Sequence, residues 1–363
     1  MMLHRYYARR FFWTSMMVLG GFCAMIMLLD LIEQARKFGD EGASALDILS
    51  LTLLNLPQGV YGLLPLVMIM AAVAFFLAFA RSSELVVTRA AGRSALVALM
   101  APIGVTFLLG LAAILGLNPI VAATSRSYEA QVGGIEGNGS LLSVSDNGLW
   151  LRQGDSESQT VIRAQRANLD GTVLADVTLL TFGLEGAPQS RIEGNRATLT
   201  DGSWVIEGAK YWPLDARNPE SAASLHDRIT LPSSLTADQI RDSFGTPSSI
   251  PLWELPAFIK RLQDAGFTAR RHQMHFQAEL ALPLFLIAMV MIAAGFTMRH
   301  QRGGRTGVMV LAAILLSFGL YFIRNFAMIL GEAGQIPPAL AAWAPPLAAI
   351  GLSLGFLLHL EDG

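Results

Sequence analysis

"ILSLTLLNLPQGVYGLLPLVMIMAAVAFFLAFA", residues 48–80, contains no Asp, Glu, Lys or Arg. A hydrocarbon core of roughly 30 Å needs about 20 residues of helix to cross it, and this stretch is longer. Lipid explains such a run, because a charge at mid-helix costs about 2.5 to 3.5 kcal/mol on insertion scales. The whole chain agrees: of 363 residues 53% are apolar and 15% charged, against about 25% charged in soluble domains. Comparable uncharged runs lie in Phe11 to Leu29, Ser94 to Ser125, Leu280 to Met298, Thr306 to Ile323 and Ile336 to Leu360, so the sequence predicts six membrane-spanning helices.

The first run follows the basic segment "MMLHRYYARR". It is long and has no small-residue cleavage pattern before Asp30, so it reads as a retained anchor rather than a cleaved signal. Cys23 is the one cysteine, which excludes an intrachain disulfide, and a net charge of -2 favours neither nucleic acid nor an acidic ligand. Basic residues in short loops set the orientation. Arg5, Arg9 and Arg10, then Arg81, Arg89 and Arg93, then Arg299, Arg302 and Arg305 fall on one side. The opposite loops carry only Arg36 and Lys37 in the first and no basic residue between Gly331 and Pro338. Both termini are therefore expected in the cytoplasm and residues 126–268 outside.

That outer region changes in character. Turn pairs at Asp146 to Gly148, Asp170-Gly171, Gly194-Asn195 and Asp201-Gly202 separate β-branched and aromatic stretches such as "TVLADVTLLTFGL" and "GSWVIEGAKYW". Trp204 and Ile206 share one strand face, Val205 and Glu207 the other. An antiparallel sandwich or open jelly roll is expected over 126–249. It is followed over 250–268 by a short amphipathic connecting helix, expected to lie near the membrane surface, in which Phe258, Ile259 and Leu262 share a face, leading to the second helical segment, 269–363.

Signatures of chemistry are missing. Lys37, Lys210 and Lys260 are the only lysines, none in a G-K-[ST] context, so no Walker phosphate loop exists. The six histidines form no H-E-x-x-H and no metal-ligand spacing. "GGIEGNGS" lacks the strand, helix and acidic partner of a dinucleotide fingerprint. No cofactor, metal or catalytic residue is expected.

"ARSSELVVTRAAGRS", residues 80–94, breaks the uncharged pattern while still reading as helix. Ser82 or Ser83 can cap it, Glu84 sits in the first turn where the dipole favours an acid, Arg89 and Arg93 lie toward the end, and Gly92 can stop it. A helix this short needs a surface to lie on. That surface is either the headgroup layer or another protein.

"RSSELVVTRAAG" resembles a segment of the lipopolysaccharide export permease family, LptF/LptG, and "SELVV" brings it closer to the LptG branch. Further similar stretches run through the chain in order: "LIEQARKFG" after the first span, "GLWLR" at 148–152, "LPAFIKRLQDAG" at 255–266, "LPL" at 282–284, "SFGLYFI" at 317–323 and "GQIPPALAAWAPPL" at 334–347.

The resemblance implies a half-permease of an ABC transporter in the bacterial inner membrane, without its own ATPase. Its architecture would be α-helical with six transmembrane helices, 1–125 and 269–363, plus a periplasmic all-β jellyroll-like domain. It also implies a cytoplasmic coupling helix at 82–91, with Glu84 as the acidic contact and Arg81, Leu85 and Arg89 beside it. The implied partners are a cytosolic LptB-type ATPase dimer, a paralogous LptF permease, an LptC-type single-span jellyroll protein and lipopolysaccharide. Asp30 and Glu279 stand where the family commonly has basic residues, and the tail "LEDG" is acidic where a basic end is usual. The LptF branch, or an envelope scaffold that moves no lipid, are the other readings.

Arg36, Lys37, Arg270, Arg271 and Arg324 are expected near the outer headgroups. Arg324 lies roughly 27 Å from the start of its helix, facing a cavity or partner, snorkelling, or pairing with Asp30 or Glu33. Arg forks bind phosphate oxygens bidentately, and the lipid A implied by the family carries phosphates at that level.

Overall fold

A computed structural model describes residues 2–39, 43–81, 95–135, 142–145, 148–154, 158–168, 171–183, 187–200, 202–233, 235–236, 240, 246–264, 268–298 and 306–362. The chain divides into two compact units. One comprises Met1–Gln131, Ser248–Leu252 and His272–Gly363, and the other Val132–Pro247 and Trp253–Arg271.

In the first unit lie α1 (Met2–Phe38), α2 (Ala45–Arg81) and α3, which runs as Ala95–Ala112, a π-helical stretch Ala113–Leu117, and Asn118–Ile135. After the β domain and a short helix α4 (Leu255–Asp264) come α5 (Arg270–Thr297), α6 (Thr306–Glu332) and α7 (Pro338–Asp362). Among the described residues six helices are long and apolar enough to cross a membrane, as the uncharged runs predict.

Central in this unit is α5, where Phe285, Ala288, Met289 and Val290 are fully buried. It meets α3 closely: a Cβ at Gly110 would stand 2.8 Å from the Cα of Pro283, so only a glycine permits that approach. Small residues let helices come together where lipid offers no hydrophobic drive. Antiparallel α1 and α2 interlock at one end through edge-to-face rings, Tyr7 on Phe79 at 4.7 Å and Phe11 on Phe75 at 5.4 Å. At the other end polar rungs join α1, α2 and α3. Asn55 Nδ2 donates to Asp30 Oδ1 at 2.7 Å, Gln34 Nε2 to the Tyr128 hydroxyl at 3.1 Å, and Ser125 Oγ to Gln58 Oε1 at 2.9 Å. Between α6 and α7 the chain reverses at Gly334, whose φ of 77° suits a glycine, with the Gln335 amide donating to Leu330 O at 2.9 Å.

The second unit holds one seven-stranded antiparallel sheet in sequential order: β1 (Leu142–Ser145), β2 (Gly148–Gly154), β3 (Ser158–Ala167), β4 (Val173–Gly183), β5 (Pro188–Thr200), β6 (Ser203–Pro213) and β7 (Ser224–Pro232). Trp204 and Ile206 are buried with Leu149, Leu151, Ile162 and Leu179. A bend crosses the sheet. The registers place Asp176, Asn195 and Gly208 on one line across β4, β5 and β6, with φ of 53° at Asp176 and 63° at Gly208. Past that line each strand changes phase: the buried residues are Leu174 then Val177, Ile192 then Ala197, Ile206 then Ala209. Without the switch half of every strand would turn its apolar residues outward.

Helix α4 carries the apolar face read from the sequence, and what that face covers is the sheet: Leu262 is buried in the sheet core and Phe258 and Ile259 pack against it. Lys260 and Gln263 remain exposed.

Candidate functional site

Within the helical unit, charge gathers around Glu279 on α5. Its side chain is buried, 7% exposed, where a carboxylate requires partners. Tyr61 of α2 donates its hydroxyl to Oε2, and Asn118 Nδ2 of α3 approaches the same oxygen at 3.5 Å. One turn back on α5, His275 Nε2 lies 3.8 Å from Oε1. Asn118 is itself fixed twice. Its Oδ1 accepts the Leu252 amide at 3.0 Å, and its own amide donates to Ala113 O, closing the π-helical turn. Such turns are frequent at functional sites, and this one ends on the residue that reaches both Glu279 and the backbone of Leu252.

Arg324 of α6 is half-buried and turned to α5. Its guanidinium carbon sits 4.6 Å from the centroid of the Phe285 ring, a cation–π contact. Alongside the bundle, an apolar cavity of about 180 Å³ opens between Ser15 and Leu19 of α1, Leu64 and Met68 of α2, Leu117 of α3 and Leu286 of α5. The unit thus combines a half-buried arginine, a fixed buried acid and an apolar cavity.

The lipopolysaccharide export system permease LptF/LptG family model matches residues 5–359. This chain belongs to the LptF/LptG family. It is 26% identical to the lipopolysaccharide export system permease protein LptG of Escherichia coli K12 over 361 residues, 98% of each protein. To LptG of Haemophilus influenzae it is 23% identical over 365 residues, 96% of this chain and 95% of that one. With its six apolar helices it is an LptG-type, multi-pass inner-membrane permease.

In this LptF/LptG chain each cation expected at the outer headgroups has its own surroundings. Among the described residues Arg324 pairs with neither Asp30 nor Glu33, the partners considered from the sequence; its guanidinium lies over the Phe285 ring. Asp30 instead takes Asn55 and Gln34 on Oδ1, while its buried Oδ2 accepts no hydrogen bond among the described residues. Glu33 meets Arg36 at 3.4 Å, both well exposed, a pair worth little. Lys37 is exposed with its Nζ 4.6 Å from the Phe38 ring centroid. Arg270 and Arg271 are exposed in the first turn of α5. Arg81 is the last residue of α2, and the proposed coupling residues Glu84, Leu85 and Arg89 lie outside the described residues.

Sequence reasoning missed Tyr61, Asn118 and Phe285. Only the Glu279 departure from the family pattern gave a signal, an acid next to an apolar run.

Proposed function

We propose that this chain is the LptG-type permease subunit of an ABC transporter that extracts lipopolysaccharide from the outer leaflet of the inner membrane and passes it to a periplasmic bridge. A separate cytosolic LptB-type ATPase dimer drives it, and a paralogous LptF permease forms the other wall of the path. The observation that carries this reading is Arg324, half-buried over Phe285 in a chain matched end to end by the family model. A charge held that way in a membrane helix marks a substrate or ion path.

Lipid enters laterally between the two half-permeases. Its phosphates meet Arg324, with Arg36, Lys37, Arg270 and Arg271 as further cations at the outer rim, and its acyl chains lie on apolar residues of α1, α2 and α6. Both termini are cytoplasmic and the β domain is periplasmic, a reading supported by the loop arginines. Closure of the ATPase on ATP pushes the coupling segment Ser82 to Ala91 through Glu84, and the helices move as rigid bodies. As the cavity narrows, the lipid rises toward the β domain. An apolar groove there shelters acyl chains at about 0.8 kcal/mol per methylene, and an LptC-type single-span protein continues the path.

Reconstitution of the chain with an LptF-type partner and the ATPase dimer in proteoliposomes tests the reading. ATP-dependent release of lipopolysaccharide is expected, together with crosslinking of the lipid to a photoreactive residue at Phe322, two residues from Arg324. Hydrolysis without release, or release independent of ATP, would overturn it.

A further inference from the structure

The apolar cavity among α1, α2, α3 and α5 stands apart from the lipid path proposed above: among the described residues none of α6, Arg324 included, lines it. We infer that it is a binding site for one hydrocarbon chain of a phospholipid from the surrounding bilayer. Ser15, Val67, Met68 and Leu286 form its floor, each at most 2% exposed. Half-buried Met16, Leu19 and Leu109 edge it, together with the exposed Ala112. A recess with a buried floor and an exposed edge opens to the medium around the bundle, and around membrane-spanning helices that medium is lipid.

Ser15 is the one polar side chain among the described lining residues, and its hydroxyl already donates to Phe11 O at 3.0 Å. Water, which needs roughly two to four polar partners, is not held by such a wall. The volume, about 180 Å³, exceeds the roughly 150 Å³ at which an apolar cavity stays dry and takes a benzene-sized molecule. Its lining falls near the middle of each span: Leu19 in Leu3–Phe38, Leu64 in Ala45–Ala80, Ala113 in Leu96–Val132 and Leu286 in Arg270–Thr297. Chain ends reach that depth and headgroups do not. No charged residue lines the recess among the described residues, so nothing there selects a phosphorylated sugar lipid over the bilayer's own phospholipid.

The α3 wall is fixed. Ala113 and Leu117 bound the π-helical stretch, in which the Asn118 amide donates to Ala113 O, and the Asn118 side chain is anchored by the Leu252 amide at 3.0 Å. On the other side stands α1, whose span is largely exposed. Protein interiors normally close to crystal-like density. Here an anchored turn keeps the wall from collapsing inward, and a chain seated in the recess supplies the dispersion contacts its lining otherwise lacks. The same chain ties α1 to the rest of the bundle.

The test uses the purified full-length chain in nanodiscs of phosphatidylethanolamine and phosphatidylglycerol, with three photoreactive probes. One is a phosphatidylethanolamine with a diazirine near the end of one acyl chain, the second has the diazirine beside the carboxyl group, and the third is a lipid A with it near a chain end. Labelled positions are read by peptide mass spectrometry. The first probe is expected to label Val67 and Met68 on the floor, and the other two are not. Ala112→Phe at the edge and Ala113→Phe on the wall each fill part of the recess. Because the cost of a cavity scales with its empty volume, taking up roughly a third of it should lower floor labelling about tenfold. Met17, 80% exposed on α1, should be labelled equally in every variant, which also shows that the variant has inserted; if Ala113→Phe does not assemble, Ala112→Phe carries the comparison.

Met17 labelled without Val67 or Met68 overturns the inference, as does floor labelling that persists in both Phe variants or is equal for the carboxyl-end probe. Floor labelling by the lipid A probe at the level of the phospholipid would assign the recess to the exported lipid instead. ATP-driven release of lipopolysaccharide is not read in any arm, so the proposed transport stands or falls separately.

Discussion

The hydroxyl of Tyr61, in the middle of α2, is a donor to the Glu279 carboxylate of α5, two residues separated by most of the chain and by the whole β domain. Glu279 is placed on α5 by the helical repeat, and the bundle brings the phenol to it. Tyr61→Phe removes that donor while keeping the ring. A loss of about 1 kcal/mol is expected, the scale of interhelical hydrogen bonds in membrane bundles, measured as a lower midpoint in unfolding of the purified chain by denaturing detergent.

Close approach of α3 to α5 rests on Gly110. In Gly110→Ala the new methyl would meet the backbone of Pro283 at 2.8 Å, whereas a Cβ at Gly104 on the same helix has nothing within 4 Å. Overpacking of this kind costs about 1 to 3 kcal/mol. Gly110→Ala should therefore lower the same unfolding midpoint and Gly104→Ala should leave it in place.

On the β domain, Glu220 accepts hydrogen bonds from Lys210 Nζ at 2.7 Å and Trp212 Nε1 at 2.6 Å, and these hold its carboxyl below the ordinary carboxylate range. A depressed folded value means that the stabilisation is present above the unfolded value of about 4.3 and is lost as pH falls through the folded one. The group is exposed, so the effect is small. Thermal scans of wild type and Glu220→Gln followed by tryptophan fluorescence should differ at pH 7 and converge only as the pH falls through the depressed folded value.

Glu84 tests the proposed coupling segment. Glu84→Ala removes the acid that the sequence places in the first turn of the expected helix, where an acid is worth about 0.3 to 1 kcal/mol at an exposed site. Less ATPase should co-purify with the variant, and hydrolysis should proceed with reduced lipid release. Wild-type recovery of the ATPase with normal export would remove Glu84 from that contact.

How much of the molecule was legible depends on which residues carry it. The six spans could be read directly, because lipid excludes charge and a run such as 48–80 meets that condition locally. Strand phase was legible as far as Ile206 and failed at Gly208, where the bend reverses the alternation. A period of two predicts faces only while the strand stays straight. The apolar stripe of α4 was also visible, though not that it would lie on the sheet.

Nothing in the neighbourhood of Glu279 named its partners. Tyr61 and Asn118 come from two other helices, and helical periodicity tells which face is apolar without telling which helix lies against it. By itself, the sequence determined how often the chain crosses the bilayer, where the β domain is inserted and which family it joins, since each of these depends on local composition or on residues in order. Tertiary structure alone decided that the buried Glu279 is met by Tyr61 and Asn118 and that the half-buried Arg324 lies over Phe285. A charge in lipid must find its compensation in space, and that compensation is supplied by whichever helices the packing brings alongside.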